Sequence, residues 1–495
     1  MKTIIALLYA KLIRKKNLQW ITNPIKYQNK TFHKLISKSI KTKFGTDHGF
    51  SEILSYETFK QKVPVRDYEG LKNYIYEVVD GKEDILWPGK PLYFAKTSGT
   101  TSGAKYIPIT KESIKTHIKS ARDALLNYFL KSKNYKSING KHMFLQGSPK
   151  LTKKNGIFIG RLSGISAHYI PKLFLKNRMP TWETNCIEDW EEKVEKIIEE
   201  TVGKKMTIIA GIPSWVQMYF EKIITKQQTS ISKVFPELSL YVYGGVSYEP
   251  YKKMFERLFG KKIDTLATFP ASEGFFGYQD EFTEKEPDLL LLLNNDIFYE
   301  FIKTEDFLKG EYERLSLERV ELNVNYLLII STSAGLWAYN IGDTVKFTSL
   351  KPYRLIVTGR VKHYLSAFGE HVIAEEVEKA LSRALNNTDI IIKEFTVAPK
   401  IKPEHGLSHH EWYIDFEKPP GNLQNFSNDL DDHMRRLNIY YDDLVAGSII
   451  RPLVIRRIER DGFKNYMKSI GKLGGQNKVP RLSNDRKIVD ELKLY

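Results

Sequence analysis

Between residues 207 and 277 one pattern recurs. The apolar run 207–211 breaks at Ile212-Pro213-Ser214-Trp215 and leads into a helical stretch. The run 240–243 ends in Gly244-Gly245 and leads into a helix over 248–259. A third run, 263–268, ends in a loop over 269–277. Strands that end in loops and feed helices predict an α/β body with parallel pairing. In such sheets ligands sit outside the carboxyl ends of the strands. The same logic adds a strand at 143–146, a short one at 92–95 and a helix over 111–132, where apolar residues recur at helical spacing.

The rest of the chain reads differently. Residues 1–80 are mostly helical and basic. From about 290 to 350 the pattern becomes β-hairpins, at 288–293, 297–302, 326–332 and 344–348. After Thr358-Gly359-Arg360 a new β/α alternation starts: helix 374–384, strands near 391–398 and 411–416, helix 428–438 and a strand near 453–458. About 135 residues suffice for a separate small core. The predicted domains are therefore 1–358 and 359–495. This fits a chain of 495 residues, given ~150 residues per domain.

Composition narrows the function classes. Hydrophobic residues make up 42% and charged residues 27%, the balance of a globular protein rather than a disordered chain or coiled coil. The single cysteine, Cys186, excludes an internal disulfide framework and a cysteine-rich zinc module, and points to a reducing, cytoplasmic setting. The net charge of +17 favours anionic partners. The cations are scattered, however, and no recognised DNA- or RNA-reading motif is present, so no specific nucleic-acid partner is expected. The apolar stretch at 4–10 is far short of the ~18 residues of a membrane span, and Lys11, Arg14, Lys15 and Lys16 follow it, the wrong side for a signal sequence. It reads as an amphipathic helix packed on the body, with a membrane-surface helix as the alternative.

Four segments could carry chemistry. Thr97-Ser98-Gly99-Thr100-Thr101-Ser102-Gly103-Ala104-Lys105 combines glycines and small hydroxyl residues, whose backbone N–H groups can surround an anion, with a lysine. It is not a Walker loop, because only three residues separate Gly99 from Gly103 and Tyr106 follows the lysine. Alone it is equally a surface turn. Thr268-Phe269-Pro270-Ala271-Ser272-Glu273-Gly274 follows a predicted strand. Its carboxylate is either a metal ligand beside phosphates or a helix-start residue. Tyr339-Asn340-Ile341-Gly342-Asp343 offers a carboxylate for a ribose diol, or an ordinary Gly-Asp turn. Gly474-Gly475-Gln476-Asn477-Lys478-Val479-Pro480-Arg481 puts a lysine on a glycine-rich loop. That lysine either neutralises reacting anions or is simply solvated.

Together and in this order, the four segments resemble the adenylate-forming enzymes. They are most similar to the Gretchen Hagen (auxin-responsive) family of acyl-acid amido synthetases, in its bacterial form. The resemblance runs from about residue 80 to the end. Ser98–Lys105 matches the family's phosphate loop, residues 269–273 its YxSSE motif, residues 339–343 its YRxGD motif, and residues 476–481 its QYKxPR segment. Phe269, Ala271, Asn340 and Asn477 depart from those patterns, while Ser272, Glu273, Asp343 and Lys478 keep them.

The resemblance implies an ATP- and Mg2+-dependent ligase. A small carboxylic acid becomes an acyl-adenylate and is then conjugated to an amine, usually an amino acid. It assigns Lys478 to catalysis and Glu273 to Mg2+. It assigns Thr97, Ser98, Gly99, Thr100, Thr101, Ser102, Gly103, Lys105, Gly244, Gly245, Val246, Phe269, Ser272, Asp343 and Arg360 to ATP. It also implies a mobile C-terminal domain with a hinge within 359–363. An acyl-CoA or other thioester ligase shares the first step and is the alternative; a nucleic-acid-binding protein is the reading of another class. Tyr169, Phe174, Trp215 and Tyr219 are candidates for the acyl pocket, with His168 at its mouth, although each also reads as core.

Overall fold

The computed structural model describes residues 2–97, 105–170, 175–244, 248, 251–283, 287–361, 364–365, 367–368, 370, 372–473 and 478–495. Its strands begin with β1 (Tyr93–Thr97), β2 (Lys105–Ile109), β3 (Lys141–Phe144), β4 (Thr152–Lys154), β5 (Ile157–Gly160), β6 (Arg178–Met179) and β7 (Met206–Ala210). Next come β8 (Leu240–Gly244), β9 (Asp264–Pro270), β10 (Phe275–Tyr278), β11 (Leu289–Leu291), β12 (Ile297–Lys303), β13 (Leu315–Ser316), β14 (Asn325–Thr332) and β15 (Tyr339–Leu350). The last are β16 (Tyr353–Arg360), β17 (Tyr364–Leu365), β18 (Val372–Ile373), β19 (Ile391–Lys400), β20 (His409–Lys418) and β21 (Val454–Arg457). The helices used below are α1 (Lys2–Thr22), α2 (Lys111–Ser132), α3 (Trp190–Thr201), α4 (Pro213–Gln227), α5 (Lys252–Phe259), α6 (Ala374–Leu385) and α7 (Leu423–Leu437).

The chain forms two compact units. One comprises residues 1–212, 232–245 and 263–356; the other comprises 213–231, 246–262 and 357–495.

A twelve-stranded sheet runs in the order β13-β12-β14-β15-β16-β11-β10-β9-β8-β7-β3-β6. Its β6, β3, β7, β8 and β9 pair in parallel, as the strand–loop–helix pattern predicts. The hairpin region does not form a sheet of its own. Its strands extend the same sheet in antiparallel fashion, with Tyr326–Ile330 of β14 wholly buried. A separate four-stranded sheet holds β2, β1, β5 and β4.

The long N-terminal helix packs on the body, but it is not the amphipathic helix expected, since Leu8, Leu12 and Leu18 stay exposed on its outer side. Ala10 and Ile13 of α1 bury against Leu126 and Leu130 of α2. Helix α2 starts where Thr110 Oγ1 accepts the Ser113 N–H (3.1 Å) and Ser113 Oγ accepts the Thr110 N–H (2.9 Å). This reciprocal cap satisfies two N–H groups that a helix start leaves orphaned.

A buried ion pair braces the first unit. Arg314 donates Nε–H to Glu300 Oε1 (2.8 Å) and Nη2–H to Oε2 (2.9 Å), with Glu300 fully buried on β12. The same guanidinium donates to the Val63 and Lys60 carbonyls and lies over the Phe59 ring.

The second unit has its own core. β19 and β20 pair antiparallel, and β21 joins β20 in parallel. Phe395, Trp412 and Ile414 of this sheet bury against Val377 and Leu381 of α6 and Leu430 and Met434 of α7. Helix α6 is held at its start by the Glu376 carboxylate, which accepts the Ile373 N–H (3.0 Å).

Candidate active site

The carboxyl ends of β8 and β9 form one edge of the first unit's candidate site. Gly244 stands opposite Thr268, and Thr268 Oγ1 donates to the Tyr243 carbonyl (2.8 Å). A Cβ at Gly244 would lie 2.6 Å from the Thr268 carbonyl oxygen, so only glycine fits there.

The expected loop over 269–277 is instead the tip of a hairpin, and this corrects the sequence reading. β9 runs on to Pro270 and β10 resumes at Phe275. Only residues 271–274 turn, closed by the Ala271 N–H on the Gly274 carbonyl (2.8 Å) and the Gly274 N–H on the Ala271 carbonyl (3.3 Å). Proline and two glycines read as breakers, but Phe275, Phe276, Gly277 and Tyr278 are all buried, which favours a strand. Ser272 and Glu273 sit half-buried at the tip. Phe269 is 5% exposed, its ring 4.9 Å from that of Phe276.

Asp343 also lies in a strand, not in the turn that a Gly-Asp pair suggests. β15 spans Tyr339–Leu350, and its partner β14 pairs Leu327 with Thr344 but Ile329 with Asn340. Leu328 therefore faces the three residues Ile341, Gly342 and Asp343. Such a bulge needs a residue free of Cβ strain, and Gly342 has φ +84°. The Gly342 N–H donates to Asn340 Oδ1 (2.8 Å), which folds the bulge over its own strand. Asn340, one of the residues that depart from the motif, thus shapes this bulge. The strand's start is tied to Arg66, whose carbonyl accepts the Asn340 N–H (2.8 Å).

Thr97 and Lys105 face each other as the last pair of the β1–β2 hairpin, so residues 98–104 connect two antiparallel strands. Lys105 Nζ lies 5.3 Å from the centre of the Tyr68 ring, and the Tyr68 hydroxyl accepts the Tyr106 N–H (2.9 Å). Ser98, Gly99, Thr100, Thr101, Ser102, Gly103, Gly245, Val246, Phe174, Gln476, Asn477 and residues 362–363 lie outside the described residues. Of the other acyl-pocket candidates, the Tyr169 hydroxyl is 3.0 Å from that of Tyr93, and His168 Nε2 is 2.9 Å from the Pro149 carbonyl. Trp215 and Tyr219 are buried in the second unit.

The second unit holds Arg360, exposed at the end of β16, and Lys478. Lys478 is exposed and helps line a cavity of about 90 Å3 with Trp215, Glu221, Lys393, Asp415 and Phe463. The chain just beyond it is fixed. Thr396 Oγ1 donates to the Pro480 carbonyl (2.7 Å), the Val397 N–H to that of Arg481 (3.0 Å) and the Ser483 N–H to that of Val397 (3.0 Å). The Arg481 guanidinium is buried on Glu394, Glu378 and the Phe395 carbonyl.

Sequence reasoning missed the charged floor of this cavity. Lys393 is 7% exposed, with its Nζ 3.0 Å from Asp461, 3.4 Å from Glu417 and 3.7 Å from Glu221. The available signal was Lys393, beside Glu394, directly after the apolar run Ile390–Ile392, where a buried charge needs partners. Burial pushes Asp415 up to about 7 against the pull of Lys393, and Asp461 adds to the rise. A carboxyl whose pKa is raised on folding stabilises the fold below its unfolded value of 3.8. That stability is lost as pH rises through about 7. Asp415→Asn should therefore flatten the fall in melting temperature between pH 5 and pH 8, a difference on the order of 3 kcal/mol. Equal pH profiles in thermal melts would contradict the assignment.

Three family models match in chain order: the GH3 N-terminal domain over 14–177, the central domain over 290–360 and the C-terminal domain over 375–487. The chain belongs to the GH3 family. Among curated GH3 relatives, the jasmonoyl–L-amino acid synthetase GH3.5 of Oryza sativa subsp. japonica is 23% identical, covering 92% of each chain. The indole-3-acetic acid-amido synthetase GH3.3 of Arabidopsis thaliana is 23% identical over 94% of this chain and 90% of its own. The jasmonoyl–L-amino acid synthetase JAR4 of Nicotiana attenuata is 22% identical over 65% of this chain and 66% of its own. The solved GH3.15 acyl acid amido synthetase superposes with a TM-score of 0.79 at 16% identity, over 98% of this chain and 96% of that one. A 2-hydroxyisobutyryl-CoA ligase in the postadenylation state gives 0.59 at 11% identity, over 96% and 90%. The fold of this GH3 chain is thus that of adenylate-forming ligases. None of its described helices is long and apolar enough to cross a membrane.

Proposed function

We propose that this GH3 chain is an ATP-dependent acyl-acid amido synthetase, which activates a small carboxylic acid as its acyl-adenylate and conjugates it to an amine, in the first place an amino acid. The observation that carries this reading is the ordered match of all three GH3 regions, together with a likeness to the GH3.15 synthetase over nearly the whole chain.

In the first step a carboxylate oxygen of the acid bonds to the α-phosphorus of ATP, and the bond to the bridging oxygen breaks, releasing pyrophosphate. In the second step the amine nitrogen bonds to the acyl carbon and the bond to the AMP oxygen breaks. The amine proton goes to solvent. Two anions meet in the first step, so cations and N–H donors around the phosphates lower the barrier most.

In this reading the amides of residues 98–103 and Lys105, with Thr97 at the hairpin base, hold the phosphates. Gly244 ends β8 where the nucleotide would meet the backbone, continued by Gly245 and Val246. Phe269 backs the nucleotide from its place on Phe276. Ser272 and Asp343 hold the ribose, Arg360 reaches the ribose or phosphates, and Lys478 meets the charge that develops on phosphorus. A hinge within 359–363 lets the unit carrying Lys478 serve adenylation and then withdraw.

Mg2+ suits this donor set. It is usually held by one or two carboxylates plus substrate phosphates. Among the described residues no group of three or more His, Cys, Asp or Glu side chains is placed for a metal. Glu273, half-buried at a closed turn, would hold the ion, which supplies further positive charge to the phosphates.

The test is a screen of carboxylic acids for pyrophosphate exchange into ATP, followed by addition of amino acids or coenzyme A to each acid that works. Amide products support the reading. Thioesters alone would make this a thioester ligase, and absence of exchange with any acid would remove adenylation. Asp343→Ala should raise the KM for ATP about 10- to 100-fold, the worth of hydrogen bonds to an ionised group. An unchanged KM would take Asp343 out of the nucleotide site.

A further inference from the structure

Three cations in the first unit lack a counter-charge. Lys193, on α3, is 3% exposed and donates to the Gln146 carbonyl (3.0 Å) and the Asn185 carbonyl (2.7 Å). Arg161 and Arg178 lie close enough to act on its charge. Arg161 packs over Gly147, where a Cβ would meet its Cδ at 3.0 Å. Arg178 lies over the Trp182 ring, 5.3 Å from its centre. No carboxylate of the described residues is within ion-pair distance of any of the three, although Glu188 acts on Arg161 from further off. Burial drives all three below their ordinary values, and Arg161 and Arg178 help bring Lys193 to about 8.

Lys193 is buried and Arg178 half-buried, while Arg161 stays exposed; a buried cation is ordinarily paired. Here the surrounding groups add more donors in place of acids. Arg178 Nε and Nη2, Gln146 Nε2, Asn185 Nδ2 and Ser163 Oγ are buried without a hydrogen-bond partner. Asn185 is fully buried, with both ends of its amide unmet. A cluster rich in donors and short of acceptors matches a ligand that only accepts, and a carboxylate accepts up to about four hydrogen bonds. The place is also suggestive. Gln146 and Gly147 leave the carboxyl end of β3, where α/β sheets bind ligands. β3 lies two strands from β8, roughly 10 Å across a sheet.

We propose that Arg161, Arg178 and Lys193, with the amides of Gln146 and Asn185, form a subsite for the carboxylate of the acceptor amino acid. This rests on the amido-synthetase reading above. The carboxylate of the acyl acid is consumed in adenylation. That of an acceptor amino acid persists through both steps and needs a cation to fix the amine's approach.

The experiment compares wild type with Arg178→Gln, and separately with Lys193→Met, in the full-length protein. The readout is kcat/KM for a panel of the standard amino acids relative to hydroxylamine, a nucleophile without a carboxylate. The subsite predicts that this ratio falls at least tenfold in both variants, and that wild type prefers each accepted amino acid to its amide by a similar factor. Melting temperatures in anion-poor buffer separate this from a structural role. Removing an unpaired buried cation should leave them level or higher, and adding 10 mM of the preferred amino acid should raise the wild-type value alone. An unchanged ratio, or wild type using amino acids and their amides equally, would overturn the subsite. So would a loss seen only with dicarboxylic acyl substrates, which would assign the cations to the acid. Absence of pyrophosphate exchange in wild type would instead overturn the enzymatic reading.

Discussion

Lys478→Ala should slow carboxylate-dependent pyrophosphate exchange about 100- to 1,000-fold, the usual cost of removing one preorganised charge or donor from a developing anion. Its exposure means that the fold barely depends on it, so the melting temperature should stay level, with stability changing by less than about 0.5 kcal/mol. The contrast between a large rate effect and no stability effect is the point of the measurement. A variant that exchanges pyrophosphate at the wild-type rate would take the lysine out of the reaction. Lys478→Arg is informative beside it. A guanidinium keeps the charge but not the compact ammonium, so partial recovery is expected.

Glu300→Ala should cost about 3 to 5 kcal/mol, because it strands the Arg314 guanidinium in the interior. The pair bonds through both oxygens of the carboxylate, and Arg314 also reaches the carbonyls of Lys60 and Val63, so the loss is felt in the N-terminal segment as well as on β12. Glu300→Leu combined with Arg314→Met should recover most of the loss, since a well-packed apolar pair replaces a buried ion pair at little cost. Denaturant melts of the two single variants and the double variant give the coupling directly. A Glu300→Ala protein as stable as wild type would mean that the guanidinium escapes to water.

The parallel half of the sheet was legible because β7 and β8 are nearly unbroken apolar runs, buried over most of their length. The small C-terminal core was legible for a similar reason. Its helices carry apolar residues at helical spacing, and its strands carry β-branched and aromatic residues such as Ile392, Phe395, Trp412 and Ile414. The hairpin tip at 271–274 and the bulge at 341–343 were not. Pro270, Gly274 and Gly342 carry the local signature of breakers, and only pairing with strands far along the chain shows that the ladder continues past them. The order of the four chemical segments was visible from the sequence. The cations around Lys193 and the acids around Lys393 were not, because residues with no common spacing are brought together only by packing.

Two residues after Lys478, the backbone is stitched to β19, and Arg481 is clamped between Glu394 and Glu378. The ammonium is therefore on a short leash. It inherits the position of the three-stranded sheet, so an alteration buried beneath β19, for instance at Phe395, would be transmitted to the lysine's aim without touching it.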